Sequence, residues 1–198
     1  RFLYYVTRVQ IMRSPATEDT GATLSAVVQA LVQYGAPDEA NVPYIVNGRI
    51  PYSEQPPQSA YQNAAQHQAV ISARVSGNTP QDQLDAIRSM LAQEIPVILG
   101  FNVYQSISQA SQTGRVPAAG GQQVGGHAIM FCGYDDAASV FIFKNSWSTR
   151  WGEKGFGYLP YSYILQRQSA DYWSIFSQEV SDGDVIDIRK PGPTPTPA

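Results

Sequence analysis

The chain is 198 residues long, 43% hydrophobic and 11% aromatic, enough apolar material to bury a core and to set disorder aside. Its formal charge is −3 with no Lys/Arg cluster, which argues against a nucleic-acid or an anionic-membrane surface as partner. No apolar run reaches the roughly 18 residues that a membrane span needs, and a single Cys excludes an internal disulfide framework. The opening Arg1-Phe2-Leu3-Tyr4-Tyr5 lacks the order of a signal peptide and no start Met is present, so the true N-terminus is expected elsewhere. Compartment stays open. Many Gln, Ala and Ser with few Lys are compatible with a bacterial source, including a secreted or extracytoplasmic one.

Residues 1–13 are apolar and aromatic with scattered Arg and read equally as helix or strand. Ser14 to Gly21 is a loop by its Pro, Asp, Thr and Gly content. Ala22 to Tyr34 carries Leu24, Val27, Val28, Leu31 and Val32 at helical spacing, with Thr20 or Thr23 as cap and Gly35 as stop. Pro37 to Pro57 is aperiodic and reads as ordered irregular chain. Thr79 to Glu94 is a second helix: Thr79 is placed to cap, Pro80 suits the first turn, and Leu84, Ile87, Met90 and Leu91 share a face. Ile95 to Phe101 is a short buried strand, and Gly114 to Gly126 a glycine-rich loop. Strands at Ala128–Tyr134 and Val140–Asn145 follow around an Asp135-Asp136 turn, with another over Gly152 to Leu159. Arg189 to Ala198 is a stiff Pro/Thr-rich linker. Helices come first and strands later, which predicts an α+β protein of two unlike halves.

The candidate chemistry lies late in the chain. His127 starts one predicted strand and Asn145 ends the next, so a hairpin would bring the two together and let Asn145 orient the imidazole. Taken singly, each has an ordinary structural reading: a core His, a turn Asn. No His/Cys/Asp cluster has metal spacing and no glycine pattern follows a strand as a phosphate loop would, so neither metal nor cofactor is expected. His67 reads as a surface residue.

Gly126-His127-Ala128, Gly133-Tyr134 and Asn145-Ser146-Trp147, with Trp151-Gly152 and Gly155-Phe156, occur in fixed order. This stretch resembles the papain-like cysteine peptidases, in the form of a bacterial-type member. Asp19-Thr20-Gly21-Ala22, Tyr34-Gly35 and Pro43-Tyr44 extend the likeness upstream at lower specificity. The resemblance implies a papain-like two-lobe fold. The helical N-terminal lobe would be incomplete here, and the C-terminal lobe a sheet or barrel-like body spanning residues 1–188 together with the first. It implies a general base at His127, its orienting partner at Asn145, and at Trp147 an indole shielding that hydrogen bond. Gly21 and Ala22 match main chain that pairs with a substrate peptide. Gly100 and Ala128 match walls of the specificity pocket. Ser148 stands where the family has Gly, a change expected to be small so long as the position needs no positive φ.

The nucleophile is the large departure. In such peptidases the Cys precedes the His by about 130–150 residues, which puts it ahead of Arg1. Cys132 is five strand residues beyond His127, on the opposite face and on the order of 16 Å away, so it is expected to be a small buried hydrophobe. The enzyme reading is therefore a cysteine endopeptidase, with peptide or protein substrates. Its Cys would lie on an upstream segment or a second processed chain, and this chain by itself would be inactive. Without a helix from that segment, Leu24, Val28 and Leu31 would lack a partner. The alternative is a catalytically inactive papain-like module that binds peptides or regulates an active relative.

Overall fold

The computed structural model describes residues 1–68 and 71–176; the expected linker at 189–198, and the end of the domain expected to reach 188, lie outside them. Two compact units result, one built on Arg1–Ser72 and the other on Ala73–Ser174.

The first unit is helical. Helix α1 (Phe2–Val6) runs into a π-helical turn over Thr7–Ile11, which settles the helix-or-strand ambiguity of the first residues. Phe2, Tyr5 and Val6 recur at helical spacing and are buried with Ala30, Val42, Ala60 and Ala64. Helix α2 (Leu24–Tyr34) is capped by Thr23, whose Oγ1 accepts the Ala26 N–H at 3.3 Å. It stops at Gly35 (φ +76), where a Cβ would collide with the Ala64 carbonyl. Its buried positions are Ala26, Val28 and Ala30, whereas Leu24, Val27 and Leu31 are half-buried and Val32 is exposed. The expected face is therefore displaced. Small side chains allow α2 to close on the preceding helix, and the bulkier aliphatics are left at its flanks. Val28 is covered within this chain, so its burial does not require a further helix. Helix α3 (Gln58–Ala64) was not visible as a periodic pattern; only Ala60 and Ala64 of it are buried.

The second unit is a sheet with a helix against it. Strands β1 (Ile71–Arg74), β2 (Val97–Tyr104), β3 (Gln123–Asp135), β4 (Val140–Lys144), β5 (Phe156–Pro160) and β6 (Ser169–Phe176) lie in the order β1-β6-β2-β3-β4-β5. The pairs β2–β3, β2–β6, β3–β4 and β4–β5 are antiparallel. Helix α4 (Pro80–Ala92) begins in a capping box: Thr79 accepts the Asp82 N–H and Asp82 accepts the Thr79 N–H. Leu84, Ile87, Met90 and Leu91 are all buried, as the spacing predicts, and the helix packs against β2 and β3. Each such side chain removed from water contributes about 1.5–3 kcal/mol. In β2, burial alternates strictly, with Val97, Leu99, Phe101 and Val103 inward.

Two boundaries differ from expectation in a way that affects the site. The glycine-rich loop ends at Gln122, because Gln123, Gly125 and Gly126 pair with Tyr104, Val103 and Asn102. His127 is thus mid-strand, not at a strand start. β5 begins at Phe156, since Gly152 to Gly155 form the turn before it. Helix α5 (Ser162–Leu165) and β6 complete the unit.

Candidate active site

Residues Phe101 and His127 face each other across β2 and β3, and Met130 pairs with Lys144 across β3 and β4. The chain leaves β4 at Lys144, so Asn145 stands at the mouth of this hairpin. Its N–H is held by the Gly155 carbonyl at 2.9 Å. From there Asn145 Oδ1 lies 2.8 Å from His127 Nε2. The same oxygen accepts the Ser146 N–H at 2.8 Å. A backbone N–H can only donate, so this atom is the amide oxygen, and His127 must donate to it from Nε2. The tautomer follows: Nε2 carries a proton, and among the described residues no hydrogen bond reaches Nδ1. Flipping the amide would set Nδ2 against the Ser146 N–H, which can only donate. It stays unflipped although Nδ2 is buried without a partner among the described residues.

Aromatic rings fix the imidazole further. Trp147 stacks on it at 4.5 Å between centroids and 20° between planes, and Phe101 meets it edge-on at 5.9 Å. Trp151 stands edge-on to Trp147 at 5.3 Å. The indole face lies against the imidazole and keeps water from the Nε2–Oδ1 bond. Trp147 itself is 40% exposed, so it covers the pair from the solvent side.

Gly100 and Ala128 are also brought together. They are cross-strand partners, one residue out of phase with Phe101 and His127, and so lie on the other face of the sheet. Gly100 pairs in turn with Ala170 of β6, so small residues stand side by side on three strands. Gly21 and Ala22 belong to the helical unit. Gly21 has φ +70, and its N–H donates to the Tyr4 hydroxyl at 3.1 Å.

Three expectations need correction or completion. Cys132 is exposed, not buried: strand alternation puts it on the face opposite the buried Ile129 and Phe131, and that face is open here. Burial alternates along β3 such that His127, Ile129 and Phe131 point one way and Cys132 the other, so it is no partner for the imidazole. Neighbouring atoms still desolvate its sulfur enough to push the thiol pKa up, with Lys144 opposing. Ser148 has φ +69, so this position does demand the left-handed backbone that suits Gly. The Ser hydroxyl offsets part of the strain by accepting the Arg150 N–H at 3.3 Å. His67 is exposed as expected, though Asp38 Oδ1 lies 3.9 Å from its Nε2.

Four contributors were given no role by the sequence reading: Phe101, Ser146 through its N–H, Trp151, and Tyr4. Strand register supplies the first, and spacing alone carries no signal for it. Tyr4 and Arg8, one helical turn apart and both oriented to an Asp-containing loop, form a pattern that could have been noticed. Among the described residues no cluster of His, Cys, Asp or Glu could hold a metal, and no helix is long and apolar enough to cross a membrane. Two cavities of about 400 and 450 Å3 flank Val75–Gly77, and none of the predicted site residues lines them.

The family model of papain family cysteine proteases matches residues 17–170. An uncharacterized peptidase C1-like protein of Acanthamoeba polyphaga mimivirus is 32% identical over 189 residues, covering 91% of this chain and 58% of the relative. The chain thus spans under two thirds of that relative's length. Cathepsin B-like cysteine proteinase 6 of Caenorhabditis elegans is 35% identical over 78 residues, 38% of this chain and 20% of the relative. Among solved structures, xylellain, a cysteine protease from Xylella fastidiosa, superposes with a TM-score of 0.76 at 29% identity, over 89% of this chain and 69% of that one. The chain belongs to the papain family of cysteine proteases. Its α+β fold is papain-like. Relatives from a virus, a nematode and a bacterium do not assign it a source.

Proposed function

We propose that this chain carries the base half of a cysteine endopeptidase site, with the nucleophilic Cys supplied by a segment or processed chain outside these residues. The observation that carries the reading is the His127 Nε2–Asn145 Oδ1 bond of 2.8 Å under the stacked Trp147, which leaves Nδ1 open. An imidazole fixed in this tautomer is ready to form an ion pair with a thiol, and such pairing is how a Cys pKa falls far below its free value. Cys132, on the opposite face and with a raised pKa, lacks both the position and the activation.

The chemistry would be acyl transfer. The thiolate attacks the scissile carbonyl; His127 then gives its Nδ1 proton to the amide nitrogen as the C–N bond breaks, releasing the amine and leaving a thioester. Water attacks that thioester, His127 Nδ1 takes the proton, and the C–S bond breaks to return the thiolate and the carboxylic acid. Peptide or protein substrates would lie extended against main chain at Gly21–Ala22. The matched Gly100 and Ala128 would admit a side chain into the specificity pocket. No metal or cofactor enters this scheme.

Peptide hydrolysis by the full-length protein tests it. The rate should be bell-shaped in pH, and His127→Ala should lower kcat by at least about a thousandfold. A flat pH profile, or full activity in the His127 variant, contradicts the reading. An inactive papain-like module is the second reading, and the exposed Ala22 main chain would serve it equally as a peptide-binding edge.

A further inference from the structure

The loop before α2 is almost wholly exposed, from Thr17 to Thr23, yet it is fastened from below by two residues of the first helical run. Arg8 is completely buried and makes no ion pair among the described residues. Its guanidinium is spent on main-chain carbonyls instead: Nη1 donates to Glu18 and, at 3.5 Å, to Ala16, and Nη2 donates to Tyr52 at 2.8 Å. It also lies over the Tyr4 ring, 4.6 Å from the centroid. One turn back, the Tyr4 hydroxyl donates to Asp19 Oδ1, which turns its oxygen lone pairs to the Gly21 N–H. A carboxylate on the proton side makes that oxygen a better acceptor. Burial and Asp19 both push the Tyr4 phenol up, so it remains a donor to the carboxylate throughout the neutral range.

The consequence falls on the next residue. Gly21 spends its N–H on Tyr4 and adopts φ +70, a turn with open space around it, so glycine is there for its backbone angle and not for room. Ala22 follows, exposed, and among the described residues no hydrogen bond reaches its N–H or its C=O. At Thr23 the chain enters the cap of α2. Between two committed neighbours, a single residue offers both a donor and an acceptor, which is what an extended peptide needs from a strand edge.

We propose that Tyr4 is the positioning residue of the peptide-binding segment: by holding the Gly21 N–H it fixes the turn that presents both main-chain groups of Ala22 to a substrate strand. This rests on the peptidase reading above, and it narrows the expected pair Gly21 and Ala22 to Ala22 as the partner and Gly21 as its hinge. Tyr4→Phe keeps the ring over Arg8 and removes only the hydroxyl.

The test compares two thiol reagents on the full-length protein and its Tyr4→Phe variant. A peptidyl epoxide needs main-chain pairing to react, whereas iodoacetamide does not. Adducts are located by peptide mapping so that Cys132 is counted apart. The expected result is an epoxide inactivation rate lower by about fivefold, which corresponds to about 1 kcal/mol, with alkylation of the reactive thiol unchanged. The Gly21 amide, followed by hydrogen exchange, should exchange at least about tenfold faster in the variant. Unchanged Gly21 exchange, or an epoxide rate within twofold of the parent, overturns the proposal; so does an equal loss with both reagents, which marks general damage. If the parent protein itself gives no adduct outside Cys132, the peptidase reading has failed and this proposal falls with it. That outcome is recognisable because it does not depend on the variant.

Discussion

The two regions matched to function are built by opposite means. In the sheet unit, main chain positions side chains. The β2–β3 and β3–β4 ladders set the stations of Phe101, His127 and Asn145, and one backbone N–H, that of Ser146, decides which way the Asn145 amide faces. In the helical unit, side chains position main chain: Arg8 and Tyr4 reach up from one helical run to hold the carbonyls and the N–H of an exposed loop. The difference matches what each region is matched to supply. A proton-transfer group must be aimed as a ring with a fixed tautomer. A peptide-binding edge must offer unpaired backbone, and in an exposed loop that backbone is kept in one shape only by something outside its own hydrogen bonds.

This contrast can be broken in order of size. Asn145→Ala should lower kcat by about a hundredfold, less than the loss of His127, because the Trp147 stack and the Phe101 edge contact still hold the ring while the tautomer is no longer fixed. Steady-state kinetics of the full-length protein check this, and a loss as large as that of His127→Ala would mean the aromatic rings contribute nothing. Arg8→Met should destabilise the helical unit by about 2 kcal/mol, since loop carbonyls lose a charged donor; chemical denaturation reads it. A neutral result would show that water replaces the guanidinium without cost. Ser148→Gly should stabilise by about 1 kcal/mol through relief of the left-handed backbone, after the loss of the bond to the Arg150 N–H is set against it. A fall in the unfolding midpoint would show that the hydroxyl bond outweighs the strain.

Legibility in the sequence followed the same division. Helix α4 was readable almost to the residue, because its cap, its Pro and its apolar face agree. The motif around His127, Asn145 and Trp147 was readable as an ordered set, and the structure places these three side chains in contact. Strand limits near glycine were not: β3 extends back through Gly125 and Gly126, where composition suggests loop, because pairing with β2 is a long-range event that no local pattern records. The face of α2 was misjudged for a related reason. Hydrophobicity favoured Leu24, Leu31 and Val32, whereas close packing selects the small Ala26 and Ala30. Cys132 looked like a core residue by type, but it alternates with buried Phe131 and falls on the open face of its strand. The backbone demand at Ser148 could not be read at all, since a Ser carries no mark of its φ.

The central claim is that His127 serves a thiol outside the residues described here. The direct measurement is an intact-mass spectrum, under denaturing conditions, of the full-length protein after reaction with a peptidyl epoxide, followed by peptide mapping of the adduct. The account predicts one equivalent of label on a Cys other than Cys132, lost when His127 is replaced by Ala. Label on Cys132, or no label on a protein that still folds, would contradict it.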